Sequence, residues 1–157
     1  MSTEICFAPV GYGRLSLCHF LGKRVFDELG GKGCTHVVTL LRDTERAESI
    51  GQKVQNKGMT WLWIPVPNGK YPQGDVHDRL LAAIPQISAL LDEGASVLIH
   101  CSAGIHRTGM LAYGLLRWRG MGADEAMEKI GQIRPVTRAG ILPRHIRWGD
   151  AVAREPQ

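Results

Sequence analysis

One stretch, Val97-Leu98-Ile99-His100-Cys101-Ser102-Ala103-Gly104-Ile105-His106-Arg107-Thr108-Gly109, constrains this chain more than any other. Ahead of it, residues 95–100 make a short apolar run of the kind that lies in the middle of a sheet. Behind it, Gly109, Met110, Leu111, Ala112, Tyr113, Gly114, Leu115 and Leu116 leave no polar face, and a helix that is apolar all round is buried. A buried strand that passes into a buried helix within seven residues, Cys101 to Arg107, needs a tight turn, and the small side chains of Ser102, Ala103 and Gly104 permit one. Strand-loop-helix units of this kind belong to α/β layer architectures.

The rest of the chain alternates in the same way. Residues 35–41 (THVVTLL) read as a buried strand, and the polar residues 43–57 read as a surface helix stopped by Gly58. Residues 59–65 (MTWLWIP) give the next strand, with Trp61 and Trp63 on one of its faces. Turn chemistry fills residues 68–74. A helix follows from about Asp75, with Leu80, Leu81, Ile84, Ile87 and Leu91 at helical spacing, a kink expected at Pro85 and an end at Gly94. Ala126, Met127, Ile130 and Ile133 mark an amphipathic helix that stops before Pro135, and Pro143 opens a last helix running towards Ala153. The expectation is one α/β domain over residues 1–157, with a central mixed sheet flanked by helices.

A chain of 157 residues can bury a core without disulfides or metals. No run approaches the roughly 18 apolar residues that a membrane helix requires, and Met1-Ser2-Thr3-Glu4-Ile5 has no secretory pattern. The expected compartment is the cytoplasm. Of the four cysteines none forms a C-x-x-C pair, so zinc spacing is absent, and neither a metal nor a cofactor is expected. Cys6, Cys18 and Cys34 read as small buried hydrophobes. A net charge of +4 suits an anionic ligand, but no Lys/Arg run marks a nucleic-acid stripe, so nucleic acid enters only as a substrate.

The chemistry of the loop follows from its residues. A concave run of backbone N–H groups binds a tetrahedral oxyanion, and the helix that follows aims its positive end at the same place. Ser102, Ala103, Gly104, Ile105 and His106 supply that run. A free thiol, with a pKa of about 8.5, is mostly protonated at neutral pH, whereas sites of this type favour the thiolate. Cys101 is therefore the candidate nucleophile. The Arg107 fork can hold two phosphoryl oxygens. The Thr108 hydroxyl can donate to the Cys101 sulfur when it becomes the leaving group, and His100 is expected to hydrogen-bond the loop backbone. His106 is either a rim contact or solvated.

Residues 100–109 (HCSAGIHRTG) resemble the signature loop of the protein tyrosine phosphatase superfamily, H-C-x5-R-[ST]-G, and the chain's size resembles its small dual-specificity branch. The resemblance covers about residues 37–134. It implies a protein tyrosine phosphatase-like fold, attack by Cys101, a phosphocysteine intermediate without metal, phosphate binding by Arg107, and help from Thr108 in breaking the intermediate down. Where the family carries a general-acid Asp, this chain has Asn68, and an amide donates no such proton. Asp75 is the candidate acid, with Asp78 as the other; each also suits a helix start, Asp75 as N-cap and Asp78 in the first turn. The family's water-positioning Gln is missing from residues 136–141, where Arg138 either reaches the cradle or is a solvated loop cation. The implied function is phosphomonoester hydrolysis on a phosphorylated protein, at tyrosine or serine/threonine. The alternatives are a phosphoinositide, inositol phosphate or RNA phosphate, with Lys70, His106 and Arg138 as rim cations, or a weakly active phosphate-binding module. A phosphorylated protein or small phosphorylated substrate is the expected partner.

Overall fold

The structure, a computed structural model, describes residues 5–154. The reading of the N-terminus as lacking a secretory pattern rests on Met1 to Glu4, which lie outside the described residues. In chain order, β1 (Ala8–Val10) and β2 (Gly13–Cys18) form a hairpin, and α1 (Lys23–Gly31) leads to β3 (His36–Thr39). A 3-10 turn (Asp43–Glu45) precedes α2 (Ala47–Asn56) and β4 (Thr60–Trp63). Then α3 (Gly74–Asp92) crosses back to β5 (Ser96–His100), followed by α4 (His106–Trp118), α5 (Ala123–Ile133), α6 (Pro135–Gly140) and α7 (Pro143–Val152).

The five strands form one sheet in the order β1-β2-β5-β3-β4, antiparallel between β1 and β2 and parallel elsewhere, which is the mixed sheet expected. Every residue of β5 is buried at its centre. The register pairs His100 with Cys18 on one side and Thr39 on the other, so the carboxyl ends of three parallel strands meet where β5 hands over to the loop. Ligands of open α/β sheets bind at such ends. From Arg107 to Leu116, α4 is buried throughout, as its composition requires. It packs on α7, where Tyr113 Oη donates to Asp150 (2.6 Å) and Arg117 Nε holds the same carboxylate (3.0 Å). Among the described residues no helix is long and apolar enough to cross a membrane.

Four local expectations change. The surface helix over residues 43–57 is broken in two at Arg46, which has φ 68° and turns Glu45 away from the helix face that follows. That second piece is also not all surface: Ala47, Ile50, Gly51 and Val54 are buried. Residues 135–140, read as a loop, are α6, because Pro135 can open a helix as easily as it closes one. Cys6 is exposed, whereas Cys18 and Cys34 are buried as expected. Gln73, not Asp75, is the N-cap of α3, and Asp75 lies in its first turn. Pro85 sits on the exposed side of α3, which runs unbroken through it. Trp61 and Trp63 share one face of β4, stacked 5.4 Å apart.

Candidate active site

The loop between β5 and α4 is anchored through its carbonyls. That of Cys101 accepts from His100 Nδ1 (3.3 Å), that of Ser102 from the Phe20 amide (2.7 Å), and that of Ala103 from Arg134 Nη1 (3.1 Å). The Gly104 carbonyl accepts from Arg134 Nη1 (2.9 Å) and Thr137 Oγ1 (2.5 Å), and that of Ile105 from the Gly109 amide (2.8 Å). A trans peptide points its C=O and N–H in opposite directions. With five consecutive carbonyls turned to the scaffold, the amides of Ser102, Ala103, Gly104, Ile105 and His106 face the other way. None of them has an acceptor among the described residues. Successive N–H groups turned to one side and left without protein acceptors form an anion cradle. Gly104 makes the turn possible. Its φ is +71°, and a Cβ there would lie 2.4 Å from the Cys18 carbonyl oxygen.

Cys101 and Arg107 occupy the two ends of this cradle, both buried. Thr108 Oγ1 donates to Cys101 Sγ at 3.0 Å, the contact expected of it. The Arg107 guanidinium is clamped from behind: Nη1 and Nη2 donate to the two oxygens of Glu45 (2.8 and 3.0 Å), and Nη1 also reaches the Val66 carbonyl (3.1 Å). Arg107 holds the Glu45 carboxyl down at about 2, far below its usual range. The Arg107 Nε–H is buried with no partner among the described residues. A guanidinium fixed by a bidentate carboxylate, with one buried donor left over, is set to receive an oxyanion.

His100 braces the start of the loop at the Cys101 carbonyl. Burial pushes its imidazole down to about 3, so it is neutral at physiological pH and carries one ring proton. Nδ1 faces a carbonyl, which only accepts, so the proton is there. Nε2 then accepts from Thr39 Oγ1 (2.7 Å), whose oxygen accepts from Trp61 Nε1 (2.8 Å). The expected backbone bond from His100 is present, and Thr39 and Trp61 hold its tautomer.

Of the remaining candidates, Ser102 and Ala103 line the open side of the loop, and Ile105 and His106 are half-buried at its rim. Asn68 is exposed in the segment that follows β4. Asp75 and Asp78 are exposed on the first turns of α3, and neither makes a hydrogen bond or ion pair with the loop. Arg138 is exposed and lies over Gly131 of α5; the cation on the loop is Arg134 instead. Sequence reasoning missed Glu45, Thr137 and Thr39. Glu45 acts across 62 residues and has no local signature. Arg134 carried a signal, the Arg-Pro pair ending α5, but not its role.

Residues 24–146 match the family described as dual specificity phosphatase, catalytic domain. Dual specificity protein phosphatase 5 of Rattus norvegicus is 31% identical over 103 residues, which is 64% of this chain and 25% of that protein. The chain thus spans about a quarter of the length of that relative. Among solved structures, Tk-PTP in the active form matches with a TM-score of 0.73 and 25% identity, over 94% of this chain and 95% of that one. PTPMT1 in complex with PI(5)P matches with a TM-score of 0.75 and 16% identity, over 94% of each chain, a likeness of fold.

Proposed function

Because this chain belongs to the dual specificity phosphatase catalytic-domain family, we propose that it is a phosphomonoester hydrolase working through a phosphocysteine on Cys101. The Cys101 thiolate attacks phosphorus, and the amides of residues 102–106 with Arg107 take the three equatorial oxygens. The bond from phosphorus to the leaving oxygen breaks, its electron pair stays on that oxygen, and the oxygen takes its proton from solvent. Water then attacks the phosphocysteine, and its proton leaves with the phosphate. The Cys101 sulfur departs as thiolate while Thr108 donates to it. His100 fixes the carbonyl below. The supporting observation is the set of five scaffold-bound carbonyls, which leaves the amides of residues 102–106 and the Arg107 Nε without acceptors among the described residues, in the loop that starts at the buried Cys101.

Phosphorylated protein, at tyrosine or serine/threonine, is the leading substrate reading, with the cytoplasm as compartment; four free thiols support the latter. A small polyphosphorylated substrate is the second reading. Arg42, an exposed cation linked to the Arg107 clamp through Glu45, favours it. The test is turnover of p-nitrophenyl phosphate by wild type and by Cys101→Ser. Wild type turns over and the variant does not. Full activity in the variant would remove the proposed mechanism.

A further inference from the structure

We propose that the groove between α1 and α2 docks an acidic peptide segment of a protein partner, one that carries a large apolar side chain beside its carboxylates. The inference concerns a surface outside the Cys101 loop and does not depend on the chemistry assigned there.

Topology makes the groove. The connections β2-α1-β3 and β3-α2-β4 both advance across the sheet in one direction, and right-handed crossovers then place both helices on one face. Between them lies a hollow of about 280 Å³, lined by Lys23, Phe26 and Asp27 of α1 and by Lys53 and Lys57 of α2. Lys23 and Asp27 stand one turn apart, as do Lys53 and Lys57, so each pair shares a flank of its helix. Lys57 Nζ pairs with Asp27 Oδ1 at 3.5 Å and joins the two walls. Lys23 and Lys53 are exposed, and neither has a hydrogen bond or ion pair with any described residue. No other acid of these helices compensates them. Glu28 is engaged by Lys32 (3.7 Å) and by the Ile5 amide (2.9 Å). Glu48 stands five residues from Lys53 on α2, about 140° round the helix axis at roughly 100° per residue. Two ammoniums without counter-charge thus rim a floor made by Phe26 and the lysine stems, which is complementary to carboxylates and an apolar side chain together.

Shape separates a peptide from other anions. A lipid surface or a phosphate backbone would meet the exposed ammoniums and leave the hollow unfilled. At about 280 Å³ the hollow falls below the roughly 300–1,000 Å³ of small-molecule sites and suits one side chain of a segment lying along the groove. The groove also begins close to the cradle. Lys23 opens α1 three residues after Phe20, whose amide donates to the Ser102 carbonyl (2.7 Å). The Cα atoms of Lys23 and Phe20 are therefore within about 11 Å of each other. A partner docked here keeps its own phosphorylated residues at a raised effective concentration near Cys101.

The test is fluorescence polarisation of a labelled short peptide, one leucine flanked on both sides by glutamates, titrated with the full chain as wild type, Lys23→Glu and Lys53→Glu. We expect each variant to weaken binding about tenfold, as a surface attraction is turned into a repulsion, while p-nitrophenyl phosphate turnover stays at the wild-type rate. Replacing the leucine of the peptide by alanine weakens binding to wild type about tenfold through lost burial. Absence of binding to wild type, an unchanged affinity in both variants, or indifference to the leucine would overturn the proposal. So would tighter binding of phosphatidylserine vesicles than of the peptide with the same dependence on Lys23 and Lys53, which would assign the surface to a membrane.

Discussion

The loop that carries Cys101 and the segment that carries Asn68 are held in different ways. Between Cys101 and Ile105 every carbonyl is engaged, by β5's last residue, β2's extension, α4, α5's end and α6. The segment after β4 is tied at its start, where the Ile64 and Val66 amides donate to Thr39 and Leu40. Beyond Asn68, α7 secures it through Arg144 to the Gly69 carbonyl and His145 to the Lys70 carbonyl (3.0 Å). Asn68 itself lies exposed between those anchors. A cradle built of backbone amides tolerates no shift of the backbone. A proton donor is a single side chain at the tip of a segment, and it can be exchanged without disturbing the fold. The first region is therefore fixed by architecture, and the second is open to specialisation.

Four effects probe this contrast. Arg107→Lys should lower kcat for p-nitrophenyl phosphate by about 10²–10³-fold, because an ammonium cannot grip both Glu45 oxygens and the substrate. Steady-state kinetics decide it, and a loss under tenfold would break the claim that the guanidinium geometry is essential. Next in size are two glycines with positive φ, one in each region. At Gly104 (φ +71°) a Cβ meets the Cys18 carbonyl, whereas at Gly69 (φ +80°) nothing lies within 4 Å. Urea denaturation should show Gly69→Ala costing about 1 kcal/mol, the conformational penalty alone. Gly104→Ala should cost well beyond about 2 kcal/mol and impair turnover. Equal costs would erase the distinction.

The third effect is a pH dependence. Folded His100 is pushed down to about 3, against 6.5 for a free imidazole. As pH falls below 6.5 the unfolded chain takes up a proton that the folded one refuses. Stability contributed by the neutral imidazole is thus complete above 6.5 and is lost as pH falls towards 3, by up to about 1.4 kcal/mol per unit. Denaturation midpoints across this window should show the slope, and His100→Asn should flatten it. Smallest is the exchange of the proton donor. Asn68→Asp should raise phenyl phosphate turnover about tenfold, at the low end of acid catalysis, and leave p-nitrophenyl phosphate nearly unchanged. Asp75→Asn should alter neither, and a large loss there would identify Asp75 as the acid after all.

The same contrast explains what could be read from the sequence. The strand, loop and buried helix around Cys101 were legible because their signals are contiguous: an apolar run, small residues, then apolar residues on every side. Thr108's contact with the sulfur and His100's with the backbone follow from that adjacency. Glu45 was not legible, because its partner is brought to it by β3 lying next to β5. Its place in a polar segment suggested a surface helix, and only the left-handed Arg46 separates it from α2. Thr137 was hidden similarly, in a short helix behind Pro135 that read as a loop. The β1-β2 hairpin left no clear pattern, since β1 has three residues and alternates about a single exposed one.

The central claim is that the Cys101 sulfur, held beneath unpartnered amides, accepts a phosphoryl group. Acid quench of a turnover mixture within the first milliseconds, followed by peptide mass spectrometry, tests it directly. The account predicts one added phosphoryl group on the peptide containing Cys101, rising before phosphate release and absent in Cys101→Ser. Turnover in wild type with that peptide unmodified at every quench time, or with the phosphoryl group on another residue, would contradict it.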